Sequence, residues 1–72
     1  QIKAYKENLN MFAHRVRTLR AYQGISPEKL AERAELHLTY IGMVERLERN
    51  PSLVCIYKIA NVLGVNITEL FQ

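Results

Sequence analysis

The sequence has no aspartate and no tryptophan, and only one cysteine, two prolines and three glycines in 72 residues. Each shortage excludes something. Cys55 has no partner for an internal disulfide, so this is not a disulfide-stapled secreted scaffold, and a reducing cytoplasmic setting is expected. Scarce glycine and proline set aside collagen-like and low-complexity chains. The longest apolar run, Leu53–Tyr57, is far short of the roughly 20 residues a membrane span needs. Residues 1–10 carry lysines but no apolar stretch of the kind a secretory leader requires. No strand-like alternation, Asn-Gly hairpin or internal repeat occurs.

What is present is a small globular chain, 49% apolar and 24% charged, with a net charge of +3. That length makes one domain with one core. The charge is uneven: residues 1–36 hold seven cations against four acids, whereas residues 37–72 hold three of each. Such a mild basic bias permits a polyanionic partner without demanding one.

Apolar residues recur at helical spacing. Leu9, Phe12, Ala13, Val16 and Leu19 predict a first helix, capped by Asn8 or Asn10 and closed by Gly24. Ser26 followed by Pro27 starts a second, with Leu30, Ala31 and Ala34 as a narrow inner stripe. His37 precedes a third helix that turns Tyr40, Ile41 and Val44 inward and stops before Pro51. Ser52 caps a fourth, lined by Leu53, Ile56, Ile59, Ala60 and Leu63 and closed by Gly64. Asn66 and Glu69 form a capping box for a last helix with Ile67, Leu70 and Phe71. The expected fold is all-α: five helices, with residues 1–9 as an N-terminal extension and 10–72 as the domain.

Residues 26–45 pair two short helices through a tight turn, the helix-turn-helix unit. A second helix of about nine residues is about 13 Å long and fits a major groove roughly 12 Å wide. The segments RVRTLRAYQG, SPEKLAERAEL, TYIGMVER, RNPSL, IYKIANVLGV and ITELF run in order from Arg15 to Phe71. In these, Phe12–Phe71 resembles the lambda-repressor-like, Cro/C1-type (XRE) DNA-binding domain. LTYIGMVERLERNPSL also resembles the controller proteins of restriction–modification systems.

The resemblance implies a compact lambda-repressor-like domain that binds double-stranded DNA as a transcriptional regulator, with residues 38–46 in the major groove. It implies base contacts from Leu38, Thr39 and Met43, with Tyr40 and Arg46 beside them. It implies a phosphate site at Ser26 and Pro27 and a backbone grip by Arg49 and Asn50. It also implies a structural ion pair between Arg20 and Glu45. The departures are Glu35 where the turn glycine usually stands, Pro27 for a common glutamine, and Leu38 where controller proteins tend to carry arginine. The reading face, Leu38, Thr39, Gly42 and Met43, therefore lacks an Arg, Asn or Gln for bidentate base contacts. Arg15, Arg17, Arg46 and Arg49 read as a phosphate-binding set around it.

Ile67, Leu70 and Phe71 suggest a dimer face, because Phe71 reads as a surplus exposed aromatic and a two-fold dimer suits a palindromic operator. Tyr22, Tyr40 and Tyr57 read as half-buried. His14, His37 and Cys55 match no zinc spacing, so no metal or cofactor is expected. Ser26 and Ser52 are accounted for as caps, so no enzyme is expected. No small-molecule ligand is evident. The rival readings are a protein-interaction module on the same fold, an antitoxin, or the DNA-binding part of a larger ligand sensor.

Overall fold

The computed structural model describes the backbone of residues 2–72 and the side chains of residues 5–72. Four α-helices follow one another: α1 (Ile2–Tyr22), α2 (Pro27–Ala34), α3 (Leu38–Glu45) and α4 (Leu53–Leu63). The fifth element, Ile67–Phe71, is a 3-10 helix. The expectation of five α-helices is corrected accordingly. The Glu69 N–H donates to the Asn66 carbonyl at 3.0 Å, the i→i−3 bond of the tighter helix that short connecting segments commonly adopt. Glu69 accepts the Asn66 N–H at 3.0 Å, closing one arm of the expected box. No strand occurs among the described residues.

The first helix is also longer than expected. It starts at Ile2, so Asn8 and Asn10 lie inside it and cap nothing. No glycine or proline interrupts residues 2–22, and extending an existing helix costs far less than nucleating one. The 9/10 boundary therefore falls within a continuous helix.

Local chemistry sets the other starts. The Ser26 hydroxyl accepts the Lys29 N–H at 3.0 Å, and Pro27 takes the first helical position. The Ser52 hydroxyl accepts the Cys55 N–H at 3.1 Å. His37 precedes α3 without a side-chain cap bond.

All four α-helices end in the same left-handed motif. Ile25 N–H donates to the Arg20 carbonyl, Leu36 to Ala31, Glu48 to Met43 and Val65 to Ala60, the six-residue closure that spares the last carbonyls. Glycine supplies the left-handed residue twice, at Gly24 and Gly64. Glu35 (φ 58°) and Leu47 (φ 64°) supply it the other two times, at a steric cost that glycine avoids.

Phe12, Val16, Leu30, Ile41, Val44, Ile59 and Leu70 meet in one core. Leu70 is fully buried, and the Phe71 ring stacks on Phe12 with centroids 5.4 Å apart. This corrects the expected dimer face at Leu70, which is a core residue, and corrects Phe71 from exposed to half-buried; Ile67 is half-buried likewise. The reason is the tight closure after Gly64, which folds the 3-10 segment back onto α1. Leu53 is corrected too, since it is 64% exposed while Cys55 takes the inner position. Tyr22 and Tyr57 stand in solvent rather than half-buried.

Candidate nucleic-acid interface

α3 is held by its inner side. Ile41, Val44 and Glu45 are buried. At 100° per residue, Leu38, Thr39, Gly42, Met43 and Arg46 then fall on one continuous outer arc. Leu38 and Thr39 are exposed and Met43 is half-buried. Arg46 closes the helix as its C-terminal cap, so the helix proper ends one residue short of the expected 38–46.

Two arginines of α1 hold the far end of α3. The Arg20 guanidinium meets the Glu45 carboxylate with two arms, at 3.0 and 3.2 Å, and donates to the Ile25 carbonyl at 3.2 Å. Arg17 donates to the backbone carbonyl of Glu45, one of the carbonyls a helix end leaves without an internal partner. Arg15 is directed elsewhere: its Nε donates to the Glu69 carbonyl at 3.1 Å. Residues two apart on a helix point about 200° from each other, so the expected four-arginine set divides here.

Pro27, Leu38, Thr39 and Arg46 come together around one open groove, with Arg17, Glu28, Gly42, Glu45 and Leu47 completing its walls. At its α2 end, Ser26 takes the Lys29 N–H and its carbonyl takes the Leu30 N–H. Pro27 has no N–H to give. The Glu28 N–H is thus the first-turn donor that the cap leaves open, with the Glu28 carboxylate beside it.

Tyr40, Arg49 and Asn50 do not join this groove. The Tyr40 hydroxyl accepts the Ser52 N–H at 3.2 Å, and the Arg49 guanidinium lies over the Tyr40 ring at 5.6 Å. That pair braces the 46–52 connection from the α4 side. Asn50 lines a second groove with Tyr5, Lys6, Leu9, Asn10 and Leu47. Leu47 borders both grooves.

Sequence reasoning missed Glu48. Its carboxylate accepts from Arg46 Nε and Nη2, both at 3.1 Å. The hydrogen bonds and the charge of Arg46 hold the Glu48 carboxyl below the ordinary carboxylate range, and Glu48 in turn raises the guanidinium. No periodic signal marks an acid two residues after an arginine in a turn. Both Ser26 and Ser52 are engaged as caps, and Cys55 is buried, where desolvation first of all raises its thiol pKa.

The profile of the helix-turn-helix family matches residues 16–70. Control protein C.SmaI of Serratia marcescens is 42% identical over 60 residues, which are 83% of this chain and 71% of that protein. The crystal structure of the restriction–modification controller protein C.AhdI from Aeromonas hydrophila superposes with a TM-score of 0.84 at 46% identity, covering 88% of this chain and 96% of that one. The N-terminal DNA-binding domain of SinR from Bacillus subtilis superposes with a TM-score of 0.82 at 31% identity, covering 88% and 93%.

Proposed function

The chain belongs to the helix-turn-helix family and is a DNA-binding transcriptional regulator, and we propose that it acts as a homodimeric controller of a restriction–modification system on a two-fold symmetric operator. The observation that carries this reading is the shared groove, in which the α2 start and the outer arc of α3 present Pro27, Leu38, Thr39 and Arg46 to one partner. α3 enters the major groove. Leu38, Thr39 and Met43 meet base edges, where apolar contact suits thymine methyl groups. Ser26 and Pro27 approach a phosphate at the α2 N-terminus. Arg49 and Asn50 approach the backbone beyond α3, and Arg46 adds charge at that end.

The dimer face is assigned to α4. Leu53, Val54 and Tyr57 are each more than half exposed and lie within one helical turn. A self-complementary apolar patch of that kind suits a two-fold contact with a second copy. No catalytic chemistry is assigned, because both serines are occupied as caps. A cytoplasmic location accords with a DNA partner and a free Cys55 thiol.

The test is binding of the full chain to a random double-stranded DNA library at two salt concentrations, with sequencing of the retained fraction. A palindromic site retained with a steep loss at higher salt supports the reading. Weak retention at both salts with no site enriched supports the protein-interaction reading instead, with the exposed Leu38 and Leu47 as the place to look for a partner.

A further inference from the structure

We propose that Arg46 reads a guanine in the major groove through the end-on edge of its guanidinium, with Glu48 and Gly42 as the residues that position it. The inference rests on the DNA-binding reading above and gives Arg46 a task other than attraction to the backbone.

The hydrogen bonds decide which edge is available. Nε and Nη2 each donate to one oxygen of Glu48 at 3.1 Å. That occupies the side-on edge. Two N–H groups on Nη1 and one on Nη2 are left, and these make up the edge that spans guanine O6 and N7. These donors have no partner among the hydrogen bonds of the described residues, and the Arg46 side chain is 59% exposed.

Gly42 provides the place. A Cβ on Gly42 would lie 2.9 Å from Arg46 Nη1, closer than such atoms approach. The side chain of a residue near a helix end leans back toward the N-terminus, and here it covers the turn containing Gly42. The guanidinium is thereby laid on the outer arc of α3, between Leu38 and Thr39 on one side and its own cap position on the other.

Glu48 makes sense for base reading and little sense for phosphate attraction. A carboxylate bound to the cation partly cancels the field that a phosphate responds to. For a directed contact the same carboxylate is useful, because it fixes a flexible side chain before the partner arrives and so reduces the ordering cost of binding. The other residues of the arc, Leu38, Thr39 and Met43, offer no planar fork of donors. Arg49 is engaged over Tyr40.

The experiment selects sites from a random double-stranded DNA library with the full chain and with Arg46→Ala, Glu48→Ala and Gly42→Ala, and measures the salt slope of binding for each. The expected result is a guanine in each half-site of the wild-type consensus, preferred by about tenfold or more. That preference disappears in Arg46→Ala and weakens in Glu48→Ala and Gly42→Ala, while the other positions keep theirs. Thermal melts followed by circular dichroism confirm that each variant is folded. The proposal is overturned if Arg46→Ala weakens all sequences alike with a salt slope smaller by about one, and Glu48→Ala strengthens all alike. If the wild-type chain retains no DNA even at low salt, the DNA-binding reading itself falls, a result distinct from a selected site that ignores Arg46.

Discussion

Arg20 of α1 and Glu45 of α3 form a two-armed ion pair, Nε to Oε2 at 3.0 Å and Nη2 to Oε1 at 3.2 Å, with side chains 17% and 10% exposed. The pair fixes the angle at which α3 leaves the body of the domain. Glu45→Ala leaves the guanidinium without its carboxylate and is expected to lower stability by about 2–4 kcal/mol. Urea denaturation checks this. Arg20→Met with Glu45→Leu should recover much of the loss, because no charge is then left unpaired.

Glu35 occupies a left-handed position at φ 58°. Glu35→Gly removes the clash between its Cβ and the backbone, offset by a more flexible unfolded chain. The net expectation is a gain of about 0.5–1 kcal/mol, read as a higher melting temperature by calorimetry. Leu47→Gly, at φ 64°, should act in the same direction.

Gly42 sits inside α3, where alanine is favoured by about 1 kcal/mol. The obstacle is the far end of the Arg46 side chain at 2.9 Å, which can shift at the expense of its exposed bonds to Glu48, a pairing that contributes little to stability. Gly42→Ala is therefore expected to raise thermal stability. A variant more stable yet less selective for DNA would separate the two demands on this position.

Leu70 and Tyr57 separate core from surface. Leu70→Ala opens a cavity in the core and is expected to cost about 2–5 kcal/mol, enough to unfold much of so small a domain at 37 °C. Tyr57→Lys alters an exposed position and should leave the melting temperature nearly unchanged while shifting the mass seen by sedimentation toward the monomer.

Cys55 is buried, and loss of hydration raises its thiol pKa, with the Tyr40 hydrogen bond and the Lys58 charge opposing. In the unfolded chain the thiol ionises in its ordinary range. The folded state thus loses relative stability as pH rises through and above that range, and Cys55→Ala should flatten the loss in denaturation curves taken across alkaline pH. Iodoacetamide should modify the native thiol only as the chain opens.

The sequence by itself determined the helices and most of their ends. Ser26 and Ser52 each cap a donor three residues on, and Gly24 and Gly64 supply left-handed closures. These bonds form within a few residues, so local composition suffices to specify them. The start of α1 was not legible, because residues 2–10 carry no breaker and the helix simply continues. The outer arc of α3 was legible from the 100° period once Ile41 and Val44 were recognised as core.

Only the tertiary structure decided which side chains share a partner. It sent Arg17 to the α3 end and Arg15 to the 3-10 segment, and it buried Leu70 in the core and stacked Phe71 on Phe12. It drew Tyr40 and Arg49 away from the groove and laid Arg46 over Gly42 under the hold of Glu48. Periodicity reports the direction of a side chain from its own helix axis. What the side chain meets there depends on where the other helices pack, and that is set by the core as a whole.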